Sequence, residues 1–206
     1  ESASPAVGAP LVRLFEASRA AARGEPYPSA DVRIGRLRAL GTLLRGNAEP
    51  LAEAVSRDFG NRSRHETQLL ELFPALEAVA QAQRHVRAWM RPRRRATSMW
   101  FLPGTSRLLP QPLGVAGIVV PWNYPIFLAV GALVAALAAG NRALVKMSET
   151  TPATGALLEH LVEAAYPGGE VRVVNGGPEV AQAFCQLPFD HLLFTGSTVV
   201  GRHVMR

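Results

Sequence analysis

The chain has 206 residues, 48% of them hydrophobic, and it contains one cysteine. This composition is sufficient for a packed core and excludes wholesale disorder, an intramolecular disulfide scaffold and a multi-cysteine zinc module. The net charge of +6 comes from arginine, because 21 of the 22 basic residues are Arg and only Lys146 is a lysine. We interpret Lys146 as a position where an ammonium group is specifically needed.

The first ninety residues predict helices. Apolar residues recur at helical spacing over 11–24 and again over 32–44. Asn47 is predicted to cap a third helix that runs to Gly60. The four residues 63–66, Ser-Arg-His-Glu, fit a capping box at the start of the next helix.

Residues 69–90 carry an apolar stripe that predicts one long helix, bent at Pro74. A cluster of arginines without any acid begins in the last part of this helix and continues beyond it, and it is made up of Arg84, Arg87, Arg91, Arg93, Arg94 and Arg95. Such a cluster could bind the phosphates of a nucleic acid. Since no array of stacking aromatic residues accompanies it, a solvated or inter-subunit segment is favoured, and no nucleic-acid partner is expected.

Residues 97–112 predict an extended hairpin. The segments 99–102 and 106–109 flank the turn sequence Pro-Gly-Thr at 103–105. A hairpin that projects from a helical region can add to the sheet of another chain. We therefore expect a homodimer or a higher homo-oligomer.

Residues 108–141 contain no charged side chain, which raises the question of a membrane span. We reject that interpretation because the sequence Pro-Trp-Asn-Tyr-Pro at 121–125 interrupts the apolar run. A buried strand followed by a buried helix explains the same composition. The N-terminal residues also lack the basic and apolar regions of a secretory signal, so a cytoplasmic location is predicted.

From residue 113 onward, predicted strands and helices alternate. The strands are 115–120, 142–146, 171–174 and 191–194, and the helices are 126–139, 151–166, 178–186 and a segment from 198 onward. This alternation predicts parallel strands joined by crossover helices. The predicted fold class is therefore α/β: an N-terminal helical part (1–96), a hairpin arm (97–112) and a partial doubly wound nucleotide-binding sheet (113–206).

Ligands of such sheets bind beyond the carboxyl ends of the strands, and four segments fall there. In the segment 121–125, a rigid Asn123 amide could donate to an oxyanion, or Asn123 could cap the helix while Trp122 packs below it. After the second strand, Lys146 and Glu149 could bind ribose hydroxyls, or they could form an exposed ion pair.

The third segment, Asn-Gly-Gly-Pro at 175–178, allows close approach to its backbone, although an ordinary turn is the simpler interpretation. The fourth, 194–201, places Gly196, Ser197 and Gly201 at a helix start, where either an anion site or a plain Ser/Thr cap would fit. Cys185 lies at an apolar helix end and is interpreted as an inert thiol. The five histidines lack metal-ligand spacing, so no metal site is predicted.

Taken in order, four motifs resemble the aldehyde dehydrogenase superfamily. They are PWNYP at 121–125, GNRALVKMSE at 140–149, NGGP at 175–178 and FTGSTVVG at 194–201. The stretches DFGNRSRHET at 58–67 and WMRPRRR at 89–95 resemble the bacterial coniferyl aldehyde dehydrogenases within it. The resemblance implies oxidation of an aldehyde, such as an aromatic one, to the carboxylic acid by NAD, with NADP as the alternative cofactor.

The resemblance also implies roles for individual residues. Asn123 would be the oxyanion donor, Lys146 and Glu149 would bind the adenosine ribose, and Ser197 would meet the pyrophosphate. The remaining residues of the implied cofactor site are Trp122, Gly177, Gly196 and Gly201. The hairpin would be part of an oligomerisation arm.

The family's nucleophilic cysteine and its glutamate motif have no match here, and Cys185 does not fit the nucleophile's motif. The pattern also stops within a helix at Arg206, so we expect the chain to be the N-terminal part of such an enzyme and inactive alone. The alternative is a non-catalytic nucleotide-binding or oligomerisation module.

Overall fold

The computed structural model describes residues 5–205. Its first half is helical and ends in a small hairpin. The elements are α1 (Pro5–Gly24), α2 (Ala30–Gly46), α3 (Ala48–Asp58), α4 (Arg64–Thr67), a π-helical turn (Gln68–Leu72), α5 (Phe73–Trp89), β1 (Arg93–Arg95), a 3₁₀ turn (Met99–Phe101) and β2 (Ser106–Leu108).

The second half alternates strands and helices, as its sequence predicts. The elements are β3 (Val115–Val119), α6 (Pro125–Ala139), β4 (Arg142–Lys146), α7 (Pro152–Ala165), β5 (Val171–Val174), α8 (Pro178–Cys185), β6 (His191–Phe194) and α9 (Thr198–Val204). The four strands form one parallel sheet in the order β5-β4-β3-β6. The predicted α/β fold class is therefore confirmed.

Helices cover both faces of this sheet, which explains the long uncharged run. Ala116, Ile118 and Val145 belong to a core with α2, α5, α6 and α7. Their neighbours Val115 and Leu144 belong to a second core with α1 and α8 on the opposite face. Because successive residues of a strand point to opposite faces, a strand buried on both sides is continuously apolar.

Helix α6 contains no charged residue, yet charged side chains from other helices bind both of its ends. At its start, the buried Glu71 carboxylate accepts the N–H groups of Ile126 (2.8 Å) and Phe127 (3.2 Å). At its end, Arg33 donates to the carbonyls of Ala138 (3.2 Å) and Ala139 (2.7 Å). An anion at the start and a cation at the end both complement the helix dipole.

Ser63 and Asn47 precede α4 and α3 as predicted, but neither side chain makes the predicted capping bond. Ser63 makes no capping hydrogen bond, and Glu66 instead accepts from Arg62 at 3.0 Å, so the capping box does not form. The side chain of Asn47 donates back to the carbonyl of Leu43 (2.8 Å) and so bonds to the preceding helix rather than capping α3.

The predicted helix over 69–90 is also interrupted near Pro74. The Phe73 N–H donates to the carbonyl of Gln68, five residues back, which is π-helical geometry. Proline at position 74 cannot donate an N–H, and here it lies in the first turn of α5, where that loss is tolerated.

The hairpin uses a different first strand from the one predicted. β1 is Arg93–Arg95, paired antiparallel with β2, whereas Met99–Phe101 forms a 3₁₀ turn. The arginine-rich segment is therefore part of the hairpin, which extends to residues before the predicted start at 97. Its tip exposes apolar side chains, with Trp100 85% exposed.

Candidate functional site

The four predicted segments emerge side by side at one edge of the sheet. The register aligns Val119 with Lys146 on one side and with Phe194 on the other, and Lys146 with Val174. Backbone bonds join the segments just beyond the strands: Val120 N–H to Lys146 O, Met147 N–H to Val174 O and Thr195 N–H to Val119 O, at 3.0–3.2 Å. The structure thus brings all four together at the carboxyl edge.

The Asn123 segment is exposed at this edge. Asn123 and Trp122 both face solvent, with Trp122 57% exposed and its ring 6.1 Å from that of Phe59. The alternative that Trp122 packs below the helix is therefore wrong. Asn123 does not cap α6 either, because the carboxylate of Glu71 occupies that position.

Arg62 binds the backbone of this segment. Its Nη1 donates to the backbone carbonyl of Asn123 at 2.9 Å, and its guanidinium lies 4.7 Å from the ring centre of Phe59 and 4.6 Å from that of Tyr124. Arg62 also pairs with Glu71 at 3.6 Å. Sequence reasoning missed both Arg62 and Glu71, because their partners lie more than fifty residues away along the chain.

Lys146 is buried, with 1% of its surface exposed. Its ammonium donates to the carbonyls of Met147 (2.6 Å) and Gly176 (2.8 Å), so it ties the segment after β4 to the segment after β5. Burial lowers the pKa of this ammonium, and the nearby Glu149 carboxylate partly opposes that shift. The exposed ion pair that we considered is not present: Lys146 is buried and Glu149 alone is exposed.

The glycine pair after β5 behaves differently at its two positions. Gly176 has φ of +137°, a conformation that L side chains rarely adopt, and a Cβ there would lie 2.5 Å from Val180. Gly177 has ordinary extended backbone and precedes α8, where its carbonyl accepts the N–H groups of Val180 and Ala181. The backbone requirement for glycine therefore falls on Gly176.

The last segment is exposed and is capped by its own residues. The Ser197 hydroxyl accepts the N–H of Val200 at 3.3 Å, so the ordinary cap forms here. A Cβ on Gly196 would lie 2.6 Å from the Phe194 ring, and one on Gly201 would lie 3.4 Å from it. Gly196 therefore gives room to that ring, whereas a Cβ on Gly201 would make only ordinary van der Waals contact with it.

Cys185 lies at the end of α8, half-buried and unbridged. Burial raises the pKa of its thiol, and the ammonium of Lys146 partly opposes this. A raised thiol pKa reduces the thiolate fraction at neutral pH, in keeping with an inert residue.

Other features of residues 5–205 lie away from this edge. A cavity of about 460 Å³ lies near the end of α6 and is lined by Arg33, Trp89 and Ala138 among others. None of the described residues form a cluster of three or more His, Cys, Asp or Glu suited to a metal ion. No helix between residues 5 and 205 is long and apolar enough to span a membrane.

The model of the aldehyde dehydrogenase family matches residues 9–206. A probable coniferyl aldehyde dehydrogenase from Pseudomonas aeruginosa is 50% identical over 196 residues, which cover 95% of this chain and 41% of the relative. A coniferyl aldehyde dehydrogenase from a Pseudomonas species is 45% identical, over 85% of this chain and 36% of its own length. The chain thus spans about two fifths of the length of these curated relatives.

Solved structures agree in fold. Substrate-bound AldH from Staphylococcus aureus superposes with a TM-score of 0.90 at 28% identity, over 95% of this chain and 42% of that one. A mutant of the indole-3-acetaldehyde dehydrogenase AldA from P. syringae, in complex with NAD+ and IAA, gives 0.83 at 25% identity, over 96% and 40%. The motif order, the parallel sheet and these matches lead to one conclusion: the chain belongs to the aldehyde dehydrogenase family.

Proposed function

We propose that this chain is the dinucleotide-binding part of an enzyme that oxidises an aldehyde to the carboxylic acid. In that reaction the aldehyde and water give the acid, two electrons and a proton pass to NAD+, and a second proton is released. The observation that supports this most directly is the alignment of four loops at one carboxyl edge of a parallel sheet, where such folds bind nucleotides.

The groups at this edge fit an adenine dinucleotide. Two of the three hydrogens of the buried Lys146 ammonium go to carbonyls of the described residues, and we propose that the third is donated to a ribose hydroxyl. The exposed Glu149 carboxylate can accept from such a hydroxyl. A 2′-phosphate would meet that carboxylate, so we propose NAD rather than NADP as the cofactor.

The remaining cofactor contacts are proposed from the same edge. Gly196 and Ser197 immediately precede α9 and Gly201 is its fourth residue, and we propose that backbone N–H groups at this helix start bind the pyrophosphate. Trp122 and Gly177 would line the bound dinucleotide. When bound, NAD supplies the hydride acceptor, and this chain's residues bind and orient it.

Asn123 is the proposed catalytic residue of this chain. Its exposed side-chain amide would donate to the oxygen of the aldehyde as negative charge develops there. The attacking thiolate is expected from the part of the relatives that this chain does not span, because the Cys185 thiol has a raised pKa and sits at a helix end.

The substrate, the oligomeric state and the cellular location are proposed on the same basis. An aromatic aldehyde such as coniferyl aldehyde is the proposed substrate, on the basis of the relatives that match. We propose a homodimer or a higher homo-oligomer that uses the exposed apolar tip of the hairpin at residues 99–102. A single cysteine suits the reducing cytoplasm, the proposed location.

The test uses the full-length gene product that contains this chain. We expect NADH formation with coniferyl aldehyde, and Asn123→Ala should lower kcat by roughly 10²–10³-fold with little change in NAD affinity. Asn123→Asp, which keeps the size but not the donor, should behave like Asn123→Ala. Wild-type kcat in either variant would contradict the proposed role.

A second candidate function is a nucleotide-binding or oligomerisation module without catalysis. The half-buried thiol with a raised pKa favours it for the part of the chain that the structure describes. Calorimetry with NAD and an aldehyde activity assay, both on the full-length gene product that contains this chain, separate the two: NAD binding without turnover there supports the module, and turnover contradicts it.

A further inference from the structure

Arg62 is a nearly buried arginine that contacts the loop at residues 121–125. Its side chain is 8% exposed, and its guanidinium lies between the rings of Phe59 and Tyr124. It has three oxygen partners: Glu66 at 2.9 Å, the Asn123 carbonyl at 2.9 Å and Glu71 at 3.6 Å. The planar fork of arginine suits simultaneous bonding and stacking, which a lysine could not reproduce.

Glu71 joins Arg62 to the start of α6. Its Oε2 accepts the N–H groups of Ile126 and Phe127, while among the described residues its buried Oε1 has no hydrogen-bond partner and faces Arg62. The two side chains therefore bind the loop on both sides of Tyr124: Arg62 at the carbonyl of Asn123, and Glu71 at the helix start.

Few backbone dihedral angles of the loop at residues 121–125 remain free. Pro121 and Pro125 have restricted φ angles, and Tyr124 is restricted because it precedes a proline. The remaining freedom of the segment lies mainly at Trp122 and Asn123. A bond to the Asn123 carbonyl restrains the rotation that turns this residue, and with it the direction of its side-chain amide.

Stability alone does not account for this arrangement. A buried ion pair gains little over an apolar replacement of similar volume, because both charges must be desolvated. The space between two aromatic rings would accept an apolar side chain. What an apolar side chain could not do is donate to the Asn123 carbonyl, and this points to a role at the loop.

We propose that Arg62 is a positioning residue for aldehyde oxidation, whose guanidinium fixes the Asn123 backbone and so aims the Asn123 amide at the reacting carbonyl. The inference rests on the proposed role of Asn123 as oxyanion donor. In this proposal Arg62 acts through Asn123 and not by direct contact with substrate or cofactor.

The experiment compares three variants of the full-length gene product. Arg62→Met keeps the aliphatic bulk between the rings, Arg62→Lys keeps the charge on a single donor nitrogen, and Arg64→Met is the matched control. Arg64 lies two residues away, is exposed and pairs with Glu53. Hydrogen exchange of the peptide covering 121–130 and the steady-state constants are measured for each.

We expect Arg62→Met to accelerate exchange in that peptide and to lower kcat about tenfold or more, with KM for NAD nearly unchanged. Arg62→Lys should recover part of the kcat, and Arg64→Met should match wild type in both measurements. Unchanged exchange and kcat in Arg62→Met would overturn the proposal.

A double-mutant cycle separates positioning from a general loss of structure. In an Asn123→Ala background, Arg62→Met should cause no further fall in kcat, because the group that it aims is already gone. An equal fall in both backgrounds would show a merely structural role and sink the inference. If Asn123→Ala alone keeps wild-type kcat, the proposed function of Asn123 fails, whereas the exchange measurement still reports whether Arg62 holds the loop.

Discussion

Two loops at the same edge of the sheet are built in opposite ways. The loop before α6 is fixed from outside, by Arg62 at the Asn123 carbonyl and by Glu71 at the helix start. The loop before α9 is closed by its own residues, since the Ser197 hydroxyl caps the N–H of Val200 three positions on. The conformation of the loop before α6 depends on residues that are distant in sequence, so this loop is only as rigid as the helices that carry them. The conformation of the loop before α9 depends on its local sequence.

The comparison predicts its largest effect at Glu71. Glu71→Ala leaves the buried N–H of Ile126 and the partly buried N–H of Phe127 without their acceptor and removes a partner of Arg62, so the free energy of unfolding should fall by about 3–5 kcal/mol. Urea denaturation of the wild type and the variant measures this.

Glu77→Ala is the control, because Glu77 is exposed on α5 in the same region. It should change the free energy of unfolding by no more than about 0.5 kcal/mol. Equal effects at the two positions would mean that Glu71 is not the anchor of α6.

A second, smaller effect concerns pH. Burial raises the pKa of Glu71, and the hydrogen bonds from Phe127 and Ile126 and the charge of Arg62 only partly oppose this. The folded protein therefore binds this proton more tightly than the unfolded chain does, so the group's contribution to stability is full below the unfolded carboxyl pKa of about 4.3. It is lost as pH rises through the raised folded pKa.

Urea titrations at a series of pH values test this sign. The wild type should lose stability relative to Glu71→Gln as pH rises through that window, because glutamine cannot titrate. A difference that is flat with pH, or that grows in favour of the wild type, would contradict the predicted direction.

The smallest effect is expected at the self-capped loop. Ser197→Ala removes one side-chain acceptor from an exposed seven-residue helix, so the loss of stability should be about 1 kcal/mol or less. Hydrogen exchange at α9 should report it locally, and Ser197→Asp, which keeps an acceptor, should restore protection. A loss as large as that of Glu71→Ala would erase the distinction between the two loops.

The same distinction explains how much could be predicted from the sequence. Strands β4, β5 and β6 have the predicted bounds, and β3 ends one residue early, because short apolar runs between turn residues are local signals. The carboxyl-edge placement of Asn123, Lys146, Gly177 and Ser197 followed from this alternation. Their individual roles in catalysis and binding stay predictions.

What the sequence did not reveal depends on contacts between distant residues. Glu71 and Arg62 were not singled out from the sequence, because their partners in the loop lie 55 and 61 positions away. The local pattern at residues 63–66 gave a wrong prediction, because Glu66 fits a capping box but accepts a hydrogen bond from Arg62 instead. β1 was missed because a strand of three exposed arginines has no apolar alternation.

The two ends of α6 have a mechanical consequence. An apolar helix without charges of its own is fastened at one end by an acid from the π-helical turn and at the other by Arg33 of α2. Sliding the helix along its axis or rotating it would break both attachments at once. A displacement of the Asn123 loop that moves α6 therefore also has to move α2 and the segment around Glu71. The position of the loop is thus fixed by the helical layer and not by the sheet alone.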